Sequence, residues 1–117
     1  MVFGDGKQIR DFNYVDDVVD ALLLCGLSEE ANGEIFNLGA EDPMSLKDTA
    51  DLLTELYEKC AYEVVPFPED RKNIDIGDYY GDYRKTRSKL GWATKVSLRD
   101  GLKKTMKYYK DNYKYYL

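Results

Sequence analysis

Two arginines are the residues of this sequence best suited to chemistry, and the chemistry they suit is anion binding. Arg10 lies in the stretch Gln8 to Tyr14, whose alternation is that of a short strand. Arg71 lies in an acidic, irregular stretch just after Pro66 and Pro68. A guanidinium presents a planar fork of N–H donors that matches phosphate oxygens, each charge-assisted contact contributing about 1.5–3 kcal/mol. Brought to one cleft, two such groups hold a diphosphate. Spacing alone leaves open a surface pairing of Arg10 with Asp11 or another carboxylate, and a solvated loop charge at Arg71.

The residues that would make or break bonds are not found in working combinations. Nucleophilic and hydrolytic constellations mostly need histidine as base, and the chain has none. A phenol made acidic by a lysine one helical turn later would serve redox chemistry, but none of the 11 tyrosines is followed by lysine at that spacing. Tyr80 and Tyr83 have Arg84 and Arg87 there, which stay charged and exchange no proton. Gly4-Asp5-Gly6 is a fragment of a dinucleotide-binding turn, followed by a charged strand rather than a helix. Binding chemistry is what remains.

The elements that must position these residues follow from pattern. Gly4-Asp5-Gly6 is a turn and Gln8–Tyr14 a strand. A helix follows, with Asp16 and Asp17 in its first turn and Val15, Val18, Val19, Leu22 and Leu23 on one face, fading near Leu27. Glu34–Leu38 reads as a buried strand. Ser45-Leu46-Lys47-Asp48 caps a second helix that carries Leu46, Ala50, Leu53, Leu56 and Tyr57 on one side to near Cys60. Tyr62–Val65 is a strand stopped by Pro66, residues 82–90 a short helix closed by Gly91, and Ser97 opens the last helix. The expected fold class is mixed α/β, with about three short strands and four helices. Residues 1–117 show no linker and no repeat. The strands are too few to make a sheet of their own.

Composition narrows the classes further. A net charge of −5 argues against a nucleic-acid binder. Without histidine or Cys-x-x-Cys, a zinc site is not expected, and Cys25 and Cys60 read as buried, reduced thiols. No apolar run is long enough for a signal peptide or a membrane span, so a cytoplasmic protein is expected.

Three ordered signatures then resemble one family. Gly4-Asp5-Gly6-Lys7-Gln8-Ile9-Arg10-Asp11-Phe12-Asn13-Tyr14-Val15-Asp16-Asp17-Val18-Val19 is similar to a segment of the extended short-chain dehydrogenases that act on nucleotide sugars as epimerases, dehydratases and decarboxylases. Phe36-Asn37-Leu38-Gly39 with Ser45-Leu46, and Leu90-Gly91-Trp92 with Leu98 and Gly101-Leu102, resemble its second and third signatures. The likeness runs from Phe3 to about Tyr109. It implies the substrate-binding, carboxy-terminal portion of an extended Rossmann-type enzyme, with the NAD-binding part absent.

The same resemblance makes Arg10 and Arg71 the arginines of the nucleotide diphosphate. It puts Gln8 in their cleft, Asn37 near the nucleotide, and Asp75 on the ribose hydroxyls. The family's Arg-x-x-Asp is longer here by one residue, which makes Asp78 the rival of Asp75; Leu90 and Trp92 read as core. The implied ligand is a UDP-, dTDP- or GDP-sugar. NAD belongs to the full-length family enzyme, and none is expected on this chain, which should be inactive alone. The alternative is a non-catalytic interaction or dimerisation module, suggested by the tyrosine-rich tail. Self-association, or docking to a missing amino-terminal half, is expected because the first helix and Glu34–Leu38 would be partly uncovered.

Overall fold

A computed structural model describes residues 1–116. In chain order its elements are β1 (Val2–Phe3), β2 (Ile9–Arg10), α1 (Val15–Leu27), a 3₁₀ turn (Glu29–Ala31), β3 (Met44–Ser45), α2 (Leu46–Leu56), β4 (Val64–Val65), α3 (Glu69–Lys72), α4 (Arg84–Leu90), α5 (Leu98–Asn112) and a second 3₁₀ turn (Tyr113–Tyr115). The class is mixed α/β, rich in helix and poor in strand. Two compact units form, each from two separated segments: Met1–Phe12 with Ala40–Gly81, and Asn13–Gly39 with Asp82–Leu117. No linker marks such a division in the sequence, because each unit is closed by contacts between distant segments.

In the first unit β1 pairs in parallel with β4, Val2 opposite Val64 and Phe3 opposite Val65. β2 pairs antiparallel with β3, Ile9 opposite Ser45 and Arg10 opposite Met44, and takes a parallel bridge from Tyr79 on its other edge. Helix α2 starts where β3 stops. Ser45 Oγ accepts from the Asp48 N–H at 3.0 Å and donates to the Asp48 carboxylate at 2.6 Å. The Leu46 and Lys47 N–H groups are taken by the carbonyls of Gln8 and Gly6. The helix start and the backbone around Gln8 therefore hold each other in place. Gly6 is required there: its φ is +68°, and a Cβ would stand 2.6 Å from Val2 Cγ1 and 2.9 Å from Lys47 Cβ.

The second unit is organised by Asp17. It is 2% exposed, and its Oδ2 accepts the backbone N–H groups of Lys95 and Val96, both at 3.1 Å, while its carbonyl takes Trp92 Nε1 at 2.8 Å. Asp17 is thus a latch between helix and loop rather than a charge offsetting the helix start, and the N-cap residue Tyr14 has no side-chain bond. Trp92 is buried as expected, with the Tyr83 ring edge-on at 6.0 Å. Thr86, fully buried on α4, donates to the Asn37 carbonyl at 2.5 Å. Lys85 and Lys89 hold Glu34, whose carboxyl these ammonium groups, Lys85 foremost, keep below its ordinary range.

Four readings from pattern change. Gln8–Tyr14 is strand only at Ile9–Arg10, where β3 and Tyr79 supply partners. Glu34–Leu38 is not a strand, with Ile35 80% exposed, because no strand among the described residues pairs with it. The inward face of α1 carries Asp17 and Ala21, leaving Val15, Val19, Leu22, Leu23 and Leu27 exposed. The sequence recorded an apolar face but not which side the latch would turn inward. Finally, α2 ends at Leu56, so Cys60 lies beyond it, and both free cysteines are partly exposed rather than buried.

Candidate functional site

The first unit contains a cavity of about 430 Å³. Its apolar walls include Val2 and Phe3 from β1, Leu46 and Leu53 from α2, and Phe67, whose ring lies 5.9 Å from that of Phe3. Four polar side chains also line it: Gln8, Thr49, Arg71 and Asp75. Pro68 leads into α3, and the turn continues past its end, because the N–H of Asp75 donates to the Arg71 carbonyl at 3.1 Å. Four residues make about one helical turn, so this separation brings both side chains to the same cavity. The Arg71 guanidinium stands 5.6 Å from the centre of the Phe3 ring.

Arg10 reaches this place from its strand. Its Nη1 donates to the carbonyls of Ile9 and Gly77 at 2.7 and 2.5 Å, which aims the guanidinium, and its Nη2 stands 3.9 Å from Asp75 Oδ1. The segment after α3 is stitched to β2 along its length. The Ile9 N–H donates to Asp78 Oδ1 at 2.8 Å, the Tyr79 N–H to the Ile9 carbonyl at 3.0 Å, and the Gly81 N–H to Asp11 Oδ2 at 2.8 Å. Asp78 is therefore occupied in holding the loop, and Asp75 is the carboxylate at the cavity. Asp11, next to Arg10 in sequence, pairs with Gly81 instead of the arginine.

The candidate residues thus divide. Gln8, Arg71 and Asp75 share one cavity, and Arg10 adjoins it through Asp75. Asn37 belongs to the other unit, where it is exposed and its carbonyl receives Thr86. The Gln8 Oε1 atom is buried without a hydrogen-bond partner among the described residues. Phe3 and Phe67 were not legible as site residues; one sat in a glycine-rich turn, and the other between two prolines offered a faint signal of a held ring.

A second polar cluster lies on this unit. Tyr62 donates to Asp51, which also pairs with Lys47 at 2.7 Å. The bond to Asp51 pushes the Tyr62 phenol above its ordinary value, opposite to what a proton-abstracting tyrosine needs. Lys47, followed by Tyr62, holds the Asp51 carboxyl below its usual range. Among the described residues no group of three or more His, Cys, Asp or Glu side chains is arranged to hold a metal, and no helix is long and apolar enough to cross a membrane.

Apolar walls, two guanidinium groups and a carboxylate are chemistry that suits an anionic ligand with an apolar part. The family model of GDP-mannose 4,6 dehydratase matches residues 1–105. UDP-N-acetyl-alpha-D-glucosaminuronate decarboxylase of Bacillus cytotoxicus is 33% identical over 114 residues, which cover 95% of this chain and 35% of that protein. The UDP-glucose 4-epimerase of Thermotoga maritima, solved with UDP-glucose, superposes with a TM-score of 0.81 at 35% identity, covering 95% of this chain and 34% of that one. An epimerase of Methanothermobacter thermautotrophicus gives a TM-score of 0.86 at 30% identity, over 97% and 33% of the two chains.

The fold is that found within Rossmann-type epimerases, and the chain spans about a third of the length of these relatives. This chain belongs to the family of NAD-dependent nucleotide-sugar epimerases and dehydratases. Its own glycine turn does not fit a dinucleotide. The space a pyrophosphate would need at Gly6 is filled by Val2 and Lys47, and the N–H groups opening α2 are already taken by Gln8, Gly6 and Ser45. No step is therefore assigned to NAD on these residues.

Proposed function

We propose that this chain binds the nucleotide diphosphate of a nucleotide sugar, acting as the carboxy-terminal portion of an NAD-dependent epimerase or dehydratase. The observation that carries the reading is the convergence of Arg71, Asp75 and Gln8 on one cavity, with Arg10 tied to Asp75 at its edge. In this reading the base lies against the apolar walls at Phe3 and Phe67, and ribose hydroxyls donate to Asp75. The phosphates lie between Arg71 and the Nη2 of Arg10. Asp75 keeps the two cations compatible before ligand arrives, since it faces one guanidinium and shares the cavity with the other. A relative, the Thermotoga maritima epimerase, carries UDP-glucose, which makes UDP the first ligand to try. The free, partly exposed thiols of Cys25 and Cys60 suit a reducing compartment, and the reading includes a cytoplasmic location.

Titration calorimetry with UDP, dTDP and GDP tests this. Arg71→Ala and Arg10→Ala are each expected to weaken binding by roughly 10- to 100-fold, as loss of one charge-assisted contact to phosphate would. UMP should lose most of the difference between wild type and these variants. A folded protein that binds none of the three nucleotides, or binds them equally well without Arg71, would refute the reading.

A second reading is an interaction module, favoured by the exposed apolar face of α1 at Val19, Leu22, Leu23 and Leu27. It predicts the same fold with no nucleotide affinity, so the titration separates the two.

A further inference from the structure

The two arginines at the cavity of the first unit are in different states. Arg71 stands 5.6 Å from the centre of the Phe3 ring and meets no carboxylate among the described residues. Arg10 is held. Its Nη1 donates to the carbonyls of Ile9 and Gly77, which fixes the guanidinium plane, and its Nη2 faces Asp75 Oδ1 at 3.9 Å. The side chains of this pair are only 23% and 28% exposed, so water and salt screen their attraction less than at an open surface.

Asp75 is tethered as well. Its N–H donates to the Arg71 carbonyl at 3.1 Å, the Gly77 carbonyl accepts from Arg10 at 2.5 Å, and Asp78 accepts the Ile9 N–H at 2.8 Å. The backbone therefore keeps the carboxylate beside the cavity whatever binds there. An anion that settles on the Nη2 of Arg10 takes the partner of Asp75 and leaves a largely buried carboxylate next to a second negative charge. Taking one member away from such a pair is costly, because the charge left behind has lost water as well as its partner. A ligand that brings hydrogen-bond donors for the Asp75 oxygens together with its anion removes that cost. Ribose hydroxyls are donors of this kind.

We propose that Asp75 selects a diphosphate carried on ribose over bare phosphate, by holding Arg10 until hydroxyl donors occupy the carboxylate. The inference rests on the nucleotide reading above and goes one step beyond it: binding of the phosphates and binding of the ribose are coupled through the Arg10–Asp75 pair. Inorganic phosphate and pyrophosphate bring charge without the sugar, so they meet the carboxylate unrelieved. A 2′-deoxyribose lacks the second of the two ring hydroxyls and satisfies Asp75 less fully. The site therefore favours ribonucleoside over deoxyribonucleoside diphosphates, which puts UDP and GDP sugars ahead of dTDP sugars.

Titration calorimetry of the full chain with UDP, 2′-deoxyuridine diphosphate and inorganic pyrophosphate, at one ionic strength, tests it. The wild type is expected to prefer UDP to its deoxy form by about tenfold, as loss of one hydroxyl bond to a carboxylate would give. In Asp75→Asn that preference should shrink to about threefold or less, since a neutral acceptor holds the hydroxyls more weakly. Pyrophosphate should bind the same variant about tenfold more tightly than it binds the wild type. Asp75→Ala should act in the same direction, with circular dichroism reporting that both variants keep the fold. The gain for pyrophosphate should vanish when Arg10→Ala is added, because the pair and not the overall charge is the barrier. If UDP binds through Arg71 while Asp75→Asn changes neither pyrophosphate affinity nor the deoxy preference, the selection is refuted and the nucleotide reading stands. A pyrophosphate gain that persists without Arg10 overturns the selection too. Absence of UDP binding by the folded wild type overturns both.

Discussion

Replacing Asp17 should unfasten the second unit, by an amount the structure allows to be worked out. One oxygen of this buried carboxylate accepts two backbone N–H groups, those of Lys95 and Val96, each at 3.1 Å. Asp17→Ala leaves both donors facing a site that water reaches poorly. An unsatisfied buried donor costs about 1–3 kcal/mol. Two long bonds sharing one acceptor place the loss at about 2–4 kcal/mol, a large fraction of what a small unit has. Asp17→Asn keeps an oxygen in the same position but removes its charge, and about 1 kcal/mol is expected. Lys95→Ala removes only an exposed ion pair to Asp20 and should cost less than about 1 kcal/mol, because the backbone N–H and not the side chain engages Asp17. Trp92 is the only tryptophan, is 2% exposed, and donates to the Asp17 carbonyl, so its fluorescence in urea reports this unit directly. With a slope of about 1–2 kcal/mol/M, the Asp17→Ala midpoint should fall by about 1–4 M. If alanine costs no more than asparagine, or Lys95→Ala costs as much as either, the latch is not what holds Trp92 in place.

Two further outcomes are expected. Gly6→Ala should lower the melting temperature much more than Gly33→Ala. Both glycines have positive φ, but a Cβ at Gly6 collides with Val2 and Lys47, whereas at Gly33 it meets nothing within 4 Å. The collision adds about 1–3 kcal/mol to backbone strain common to both, so equal shifts in scanning calorimetry would contradict the packing described. Asp82 should titrate at about 2 by nuclear magnetic resonance, because the Arg84 side chain, and then its N–H, favour the charged carboxylate. Its folded value is depressed, so the stability it contributes is present above about pH 4 and is lost as pH falls toward 2. In Arg84→Ala the midpoint should return toward the ordinary value.

Much of the local structure was legible because it is local. Ser45 and Ser97 cap their helices as the neighbouring Asp48 and Asp100 indicated, and Gly91 closes α4 with φ +65°. Trp92 is core. Arg10 and Arg71 stood out because a guanidinium fork matches the oxygens of a phosphate. Strands were legible less well, since a strand exists only where another lies beside it. Ile9–Arg10 found partners in Met44–Ser45 and Tyr79, while Glu34–Leu38, the more apolar run, found none.

By itself the sequence determined where α2 and α5 begin and which residues offer guanidinium groups of the kind that suits anions. These depend on residues within a turn or two of one another, or on composition alone. Only the tertiary structure decided that Asp75 rather than Asp78 faces the cavity, that Phe3 and Phe67 wall it, and that Asp17 is a latch. It also decided that α1 turns its leucines outward. Each of those outcomes depends on groups many residues apart competing for the same hydrogen bond or the same space, and a linear pattern does not record which competitor is near.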